Sequence, residues 1–427
     1  MTMPAIPSPL RATLAGVALL LVSIQASGQT PPAQDPASPE ALRARLDALQ
    51  QSHDREIQEL SQRLDQLEDE LAQARTAAAR PPTQSLSAFN PAITAFGNFL
   101  GRLDDRPVHL DDDPAAARVG DRMSLREVEL DFRAPIDPWA DGVLIASFGE
   151  EAPDEYVADI EEGYVLLKKL PFTDSAPGGL KLEIGRFRPA FGRLNTIHLH
   201  DLPQSSYPRA LQNVLGPEGL VANGISGRFF LPKPGENDTL ECWLGLLDGG
   251  NAPIAGTQQS SDVAGAARVS WYHDFADGRD LELGLSEWTS GAQHQLTGID
   301  WTYRWKPYVA GEWRSFLVGG EWYTADTSDS TLAGHASGLD VWVQHQLDRN
   351  LYLGARFDWL EELQNGGAQT RTLGAFVTYY TTEFLRLRAG AEHTSSALSW
   401  LDGLDSFFLE VNFIFGSHPA EPYWVNH

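Results

Sequence analysis

From Ser87 onward, apolar and polar residues alternate with a period of two, in runs of about ten residues broken by Gly, Asp, Pro or Asn clusters. Val128, Leu130 and Phe132 alternate with Glu127, Glu129 and Asp131. Leu180, Leu182 and Ile184 alternate with Lys181 and Glu183, and Leu240, Cys242, Leu244 and Leu246 with Glu241 and Trp243. Leu385, Leu387, Ala389 and Ala391 alternate with Arg386, Arg388 and Glu392, and Phe407, Leu409, Val411, Phe413 and Phe415 with Glu410 and Asn412. The pattern predicts strands near 91–100, 123–134, 141–149, 156–168, 179–187, 220–231, 238–247 and 263–275. More follow near 280–290, 295–306, 312–324, 337–347, 350–360, 370–381, 384–394 and 406–416. That is about sixteen, with fourteen or eighteen open, an even count that suits an antiparallel transmembrane barrel.

The connections carry a second signal. Every second one is expected to be a short turn, such as 135–140, 307–311 or 348–349, and the others generally longer and polar, notably 101–122, 190–219 and 248–262, with 289–294 a shorter exception. Short turns on one side and long loops on the other are the transmembrane-barrel asymmetry, with the short side in the periplasm. Trp139, Tyr156, Trp288, Trp305, Trp322, Tyr323, Trp359 and Tyr380 fall near strand ends, where interface girdles would sit. A soluble propeller or sandwich would also show many short strands, but it explains neither the loop asymmetry nor the leader.

That leader is residues 1–28: Arg11, an apolar run from Ala12 to Ile24, and Ala26-Ser27-Gly28 before a cut at Gln29, the pattern of a secretory signal peptide. Residues 29–39 are a Pro/Ala/Gln linker. Residues 40–80 change period. Leu42, Leu46, Leu49, His53, Ile57, Leu60, Leu64, Leu67, Leu71 and Ala74 form a heptad seam with one stutter at His53, a periplasmic coiled coil suited to self-association. Residues 81–87 link it to the barrel of 88–416, and 417–427 form a tail. The fold class is therefore all-β: a transmembrane antiparallel barrel preceded by a short helical coiled coil.

Composition narrows the chemistry. With 32 Lys+Arg against 58 Asp+Glu, the 427-residue chain carries a net charge of −26, which argues against nucleic-acid partners. One Cys excludes an internal disulfide and a Cys-cluster metal site. The mean hydropathy of −0.28 argues against a bundle of transmembrane helices, but a barrel of alternating strands is compatible with it. No Ser-His-Asp set, phosphate loop or His-Glu-x-x-His is present, so no enzyme activity and no cofactor is expected.

Three local motifs carry a resemblance: Phe89-Asn90-Pro91-Ala92-Ile93, Gly185-Arg186-Phe187-Arg188-Pro189-Ala190-Phe191-Gly192, and Glu383-Phe384-Leu385-Arg386-Leu387-Arg388. With the preceding coiled coil, the chain resembles the phosphate-selective-porin-like group of outer-membrane porins over about residues 40–416. Phe407–Phe415 also looks like the terminal strand of such barrels, although a tail follows it. The resemblance implies a bacterial outer-membrane porin, a homotrimer, passing small hydrophilic solutes or ions through a wet lumen. The alternative is a non-conducting tether or adhesion barrel.

In trimeric porins the loop at the third long position folds inward and narrows the lumen. Here that is 190–219, and the constriction is expected from Arg193, His198, His200, Asp201, Ser205, Ser206, Tyr207 and Arg209. His198-Leu199-His200-Asp201 offers two imidazoles and a carboxylate, but no third ligand is assignable, so no metal is expected there. Lumen-facing charges are read from the alternation as Glu127, Glu129, Asp131, Glu183, Glu282, Asp300, Asp340, Asp358, Glu392 and Glu410, against Lys181, Arg304, Arg356, Arg386 and Arg388. This acidic majority suggests a weak cation preference, and Arg386 and Arg388 a local basic ladder. Asp104, Asp105 and Asp111–Asp113 form an acidic first loop, either solvated or bridging through divalent cations to lipopolysaccharide.

Overall fold

The computed structural model describes residues 91–417 apart from 110–117, 153–154, 171–175, 250–251, 256–262, 292 and 308–311, together with Leu46. The signal peptide, both linkers, the coiled coil other than Leu46, the tail beyond Ser417 and Asp111–Asp113 lie outside the described residues. Sixteen antiparallel strands form a closed ring in chain order. They are β1 Ala92–Asp104, β2 Arg122–Asp137, β3 Ala140–Ala152, β4 Glu155–Leu167, β5 Lys181–Phe187, β6 Ala222–Leu231, β7 Asp238–Asp248 and β8 Val263–Asp274. The series continues with β9 Arg279–Ser290, β10 His294–Trp305, β11 Phe316–Thr327, β12 His335–Asp348, β13 Leu351–Glu362, β14 Ala368–Thr382, β15 Leu385–Ser396 and β16 Leu404–Gly416. β16 returns to β1 from Thr94↔Gly416 to Asp104↔Ser406, so the ring presents no free sheet edge.

The ring is inside-out relative to a soluble protein. Leu246, Leu285, Leu373, Leu409 and Phe415 stand exposed on the outer face, Leu373 at 61%. The residues between them in sequence are polar and buried: Ser286, Thr372, Arg388 and Glu410 are each at 1% or less. An apolar belt around a closed ring of satisfied backbone is what hydrocarbon requires of a sheet. The barrel therefore spans a bilayer, and its place is the bacterial outer membrane.

Three expectations need correction. Strands shift at their ends: β1 runs on to Asp104, β11 is Phe316–Thr327 rather than 312–324, and β12 begins at His335. Loop asymmetry is weaker than alternate spacing suggested. On the long-loop side, β3 and β4 are joined by 153–154 alone, while 168–180 and 306–315 on the other side exceed tight turns; the short connection expected at 289–294 is 291–293. Strand length absorbs residues that a sequence reading assigns to loops. The aromatics also divide. Trp139, Tyr156 and Trp322 are exposed, but Trp288 and Tyr323 at 1% and Tyr380 at 7% sit on the buried face. Proximity to a strand end does not determine the face; parity along the strand does.

Of the bulges that break that parity, two bear on the site. Between β1 and β2 the register passes from Asn98↔Glu127 to Phe99↔Leu125, leaving Arg126 as the extra residue. Between β3 and β4 it passes from Ile145↔Glu162 to Ala146↔Ile160, leaving Glu161 extra. A bulge sets two residues against one and re-aims their side chains. Arg126 with Glu127, and Glu161 with Glu162, are accordingly buried as adjacent pairs.

Candidate functional site

Residues 188–221, between β5 and β6, hold the longest connection among the described residues. It opens on Arg188-Pro189, which cannot continue the ladder, and turns at Gly192. Gly192 has φ +63°, and a Cβ there would lie 2.2 Å from Glu321 Oε2, so only glycine fits this close approach. Two short 3-10 turns follow, Leu194–Thr196 and Leu199–Asp201, then helix α1, Arg209–Leu215.

One flank of the segment is apolar. Phe191, Leu194, Leu202, Tyr207, Leu211, Val214 and Leu215 are buried in one cluster with Trp243, Trp288, Leu296, Tyr323, Trp342 and Leu360 of β7 and β9–β13. These wall residues occupy the inward parity of their strands. The other flank is held through its backbone. Arg126 Nη1 donates to Ser205 O at 2.8 Å, Arg388 Nη2 to Leu202 O at 3.0 Å, and Asn412 Nδ2 to His200 O at 3.0 Å. Arg356 Nη1 donates to Ser206 O and Oγ, each at 3.1 Å. At the entrance, Glu321 Oε1 accepts the N–H groups of Arg193 and Leu194, both at 2.7 Å. The inward faces of β1, β2, β9, β11, β13, β15 and β16 thus all meet this segment.

The side chains expected at a constriction have the following surroundings. Arg193 pairs with Glu282 on β9. Arg209 opens α1 and lines a cavity with Glu362, Leu360 and Trp400. Ser205 and Tyr207 are buried, and the Tyr207 hydroxyl donates to Ile197 O. His200 stacks on Phe96 of β1, with ring centroids 3.8 Å apart. His198 Nδ1 lies 3.1 Å from both Glu129 Oε2 and Glu161 Oε2, and its Nε2 lies 2.9 Å from Glu162 Oε1. His200 Nδ1 lies 3.4 Å from the same Glu129 oxygen, and its Nε2 lies 3.5 Å from Asp201 Oδ2.

Burial disfavours charge on both rings, but the carboxylates outweigh it. Glu129 holds the His198 pKa well above its ordinary value, and His200 is pushed up to about 10 by Glu129 and Asp201. Asp201, also resisted by burial, is drawn below its ordinary value chiefly by His200.

Several of the wall charges are paired. Arg386 and Arg388 both bind Glu410, at 2.9 and 3.1 Å, and Asn98 donates to the same carboxylate at 3.0 Å. Arg356 contacts Glu392 at 2.9 Å and Asp358 at 3.7 Å. Arg304 binds Asp280, Asp131 takes Arg133, and Glu183 accepts from Ser226. Glu127 and Glu129 are buried on β2, and Lys181 is exposed at the start of β5. The register sets Asp300 opposite Glu321, Glu321 opposite Asp340, and Asp340 opposite Asp358, a carboxylate row across β10–β13. At the first loop, Asp104 pairs with Arg102 and Asp105 with Arg106.

Sequence reasoning missed Arg126, Glu161, Glu162, Arg188 and Glu321. Arg126 and the Glu161–Glu162 pair depend on bulges, which reverse parity with no local signal. Arg188 belongs to the Gly185–Gly192 motif, whose sequence does not show its partners; it lies 2.9 Å from Glu161 and 3.8 Å from Glu162. Glu321 was open to the alternation rule, since Tyr323 shares its inward parity.

No family model matches the chain. An uncharacterised protein of Aquifex aeolicus (strain VF5) is 24% identical over 344 residues, covering 70% of each chain. The outer membrane channel DcaP of Acinetobacter baumannii has a similar structure at a TM-score of 0.50 and 12% identity, over 78% of this chain and 99% of that one. An anion-selective porin from Comamonas acidovorans matches at a TM-score of 0.49 and 10% identity, over 76% of this chain and 100% of that one. The fold is that of a sixteen-strand outer-membrane porin barrel.

Proposed function

We propose that the protein is a passive outer-membrane diffusion channel for small hydrophilic solutes or ions, narrowed by residues 190–219. The observation that carries this reading is the polar inward wall gripping that segment from many strands at once. A loop held only by one neighbouring strand would be a cap; this one is bonded from β1 and β2, from β9 and β11, and from β13, β15 and β16. A cavity lined by Leu100, Arg126, Glu127, Glu150, Tyr207 and Glu218 adds polar space beside β1–β3.

The acidic majority on the wall favours cations over anions, because rings of carboxylates attract counter-ions. The phosphate-selective resemblance therefore extends to architecture and not to the solute. The heptad seam of 40–80 would join copies of the chain, three in this reading.

Single-channel recording in planar bilayers tests the reading. Discrete conductance steps are expected, with a reversal potential in a KCl gradient displaced toward the cation limit. Absence of steps both in the intact chain and after deletion of 195–213 would favour the non-conducting tether. Chemical cross-linking of the intact protein and of the Leu60→Asp, Leu64→Asp variant tests assembly: the intact chain should give an oligomer, and the variant should loosen it while the barrel still folds.

A further inference from the structure

We propose that His198, Glu129 and Glu161 form a binding site for a divalent first-row transition ion of the zinc class, with His200 as the fourth ligand after a small shift. This goes beyond the channel reading and does not depend on it.

The geometry is that of ligands around a common centre. Metal–nitrogen and metal–oxygen bonds of about 2.0–2.2 Å at tetrahedral angles place ligand atoms about 3.3 Å apart. His198 Nδ1 lies 3.1 Å from Glu129 Oε2 and 3.1 Å from Glu161 Oε2, and His200 Nδ1 lies 3.4 Å from Glu129 Oε2. The three ligand atoms of Glu129, Glu161 and His198 all fall within 4.8 Å of one another. A single Nδ1–H cannot point well at two carboxylate oxygens at once, whereas a cation between them serves both.

Two further observations point to a ligand. Glu161 Oε1 and His200 Nδ1 are buried with no hydrogen-bond partner among the described residues, on side chains that are 5% and 4% exposed. Such orphaned atoms are costly unless something binds them. The outer groups are also arranged for coordination. Each imidazole has its Nε2 near a carboxylate, Glu162 for His198 and Asp201 for His200. A metal-bound histidine characteristically donates its other ring N–H in this way, which fixes the tautomer and leaves Nδ1 to the ion.

Charge agrees with a divalent ion. The carboxylates of Glu129, Glu161 and Glu162 contact His198, and one guanidinium, Arg188, contacts Glu161 and Glu162. With the ring neutral, three negative charges face one positive charge, and a divalent cation balances the remainder. Imidazole nitrogen with carboxylate oxygen favours zinc-class ions over magnesium or calcium, which prefer all-oxygen shells. The site joins the loop to β2 and β4, so an occupied site would tie the loop to that wall.

The test uses the full-length protein in detergent, stripped with EDTA, dialysed and titrated calorimetrically with Zn²⁺ alone. One saturable site per chain is expected, undisturbed by a tenfold excess of Mg²⁺. Co²⁺ should give the intense visible absorption of a tetrahedral centre. His198→Gln should abolish the site, and Glu162→Gln, which keeps the side-chain shape but removes the carboxylate charge facing His198 Nε2, should weaken binding by about 10-fold or more. Heat-modifiable migration of each variant reports that the barrel has folded. Lack of saturable Zn²⁺ binding by the intact protein, or binding that survives His198→Gln in a folded barrel, overturns the proposal. Because the readout is binding in detergent, its failure is separate from any failure to conduct.

Discussion

The two flanks of the segment between β5 and β6 are attached by different physics. On the β7–β13 side, Leu202, Leu211, Val214 and Leu215 are buried among Trp243, Trp288, Trp342 and Leu360. That contact is non-directional and proportional to area. On the side of β2, β13, β15 and β16, guanidinium and amide donors hold individual carbonyl oxygens at 2.8 to 3.1 Å. Those contacts are few and directional, and the guanidinium ones are charge-assisted. The apolar flank secures the segment within the barrel, and the polar flank fixes its height and register. A membrane barrel needs both, since its outer surface already uses the apolar residues that a soluble protein would bury.

The largest effect is expected from removing both attachments together. Deleting 195–213 should raise single-channel conductance severalfold and leave heat-modifiable migration intact; unchanged conductance would place the segment outside the conduction path. Next comes the apolar flank alone. Leu211 is fully buried in α1, and Leu211→Ala should cost about 2–5 kcal/mol of segment docking. Protease cleavage within 190–219, slow in the parent, should become fast.

The polar flank should respond through a different readout. Arg388→Ala strips a partner from Glu410 and the donor from Leu202 O. Leaving that carboxylate short of a partner should cost on the order of 3 kcal/mol. Because Arg386 still binds Glu410, the expected signature is a noisier open channel with little gain in protease cleavage. If Leu211→Ala and Arg388→Ala prove indistinguishable in both assays, the two flanks are not separate attachments.

The smallest effect concerns selectivity. Arg193→Gln with Arg209→Gln removes two positive charges from the segment, one of them paired with Glu282. Reversal potential should move modestly further toward cations at low salt and less at high salt, because exposed charges are screened. No movement at any salt would mean that neither charge faces the permeating ion.

Much of the barrel was legible because period-two alternation is imposed locally. A strand with one face in lipid and the other in a polar interior must alternate, and Leu385, Arg386, Leu387 and Arg388 do so residue by residue. The even strand number and the closing β16 follow from the same pattern. The site was legible only in outline. His198, His200 and Asp201 were visible as residue types, but the wall residues that meet the two rings come from strands at least 36 residues away in sequence. The carboxylates that meet His198 most closely include Glu161, whose inward direction exists only because β3 and β4 pair with one residue in excess.

The sequence by itself determined the kind of surface each strand presents, since burial of alternate side chains is a property of the strand alone. The expectations of a leader, a heptad seam and a candidate loop rest on the same kind of signal: each is periodicity or composition within one stretch. Only the tertiary structure decided which acids and guanidiniums meet. A bulge is a relation between two strands and carries no cost or signal in either one alone. Arg126, Glu161 and Glu162 acquire their inward direction from that relation, and the segment between β5 and β6 acquires its partners from the closure of the whole ring.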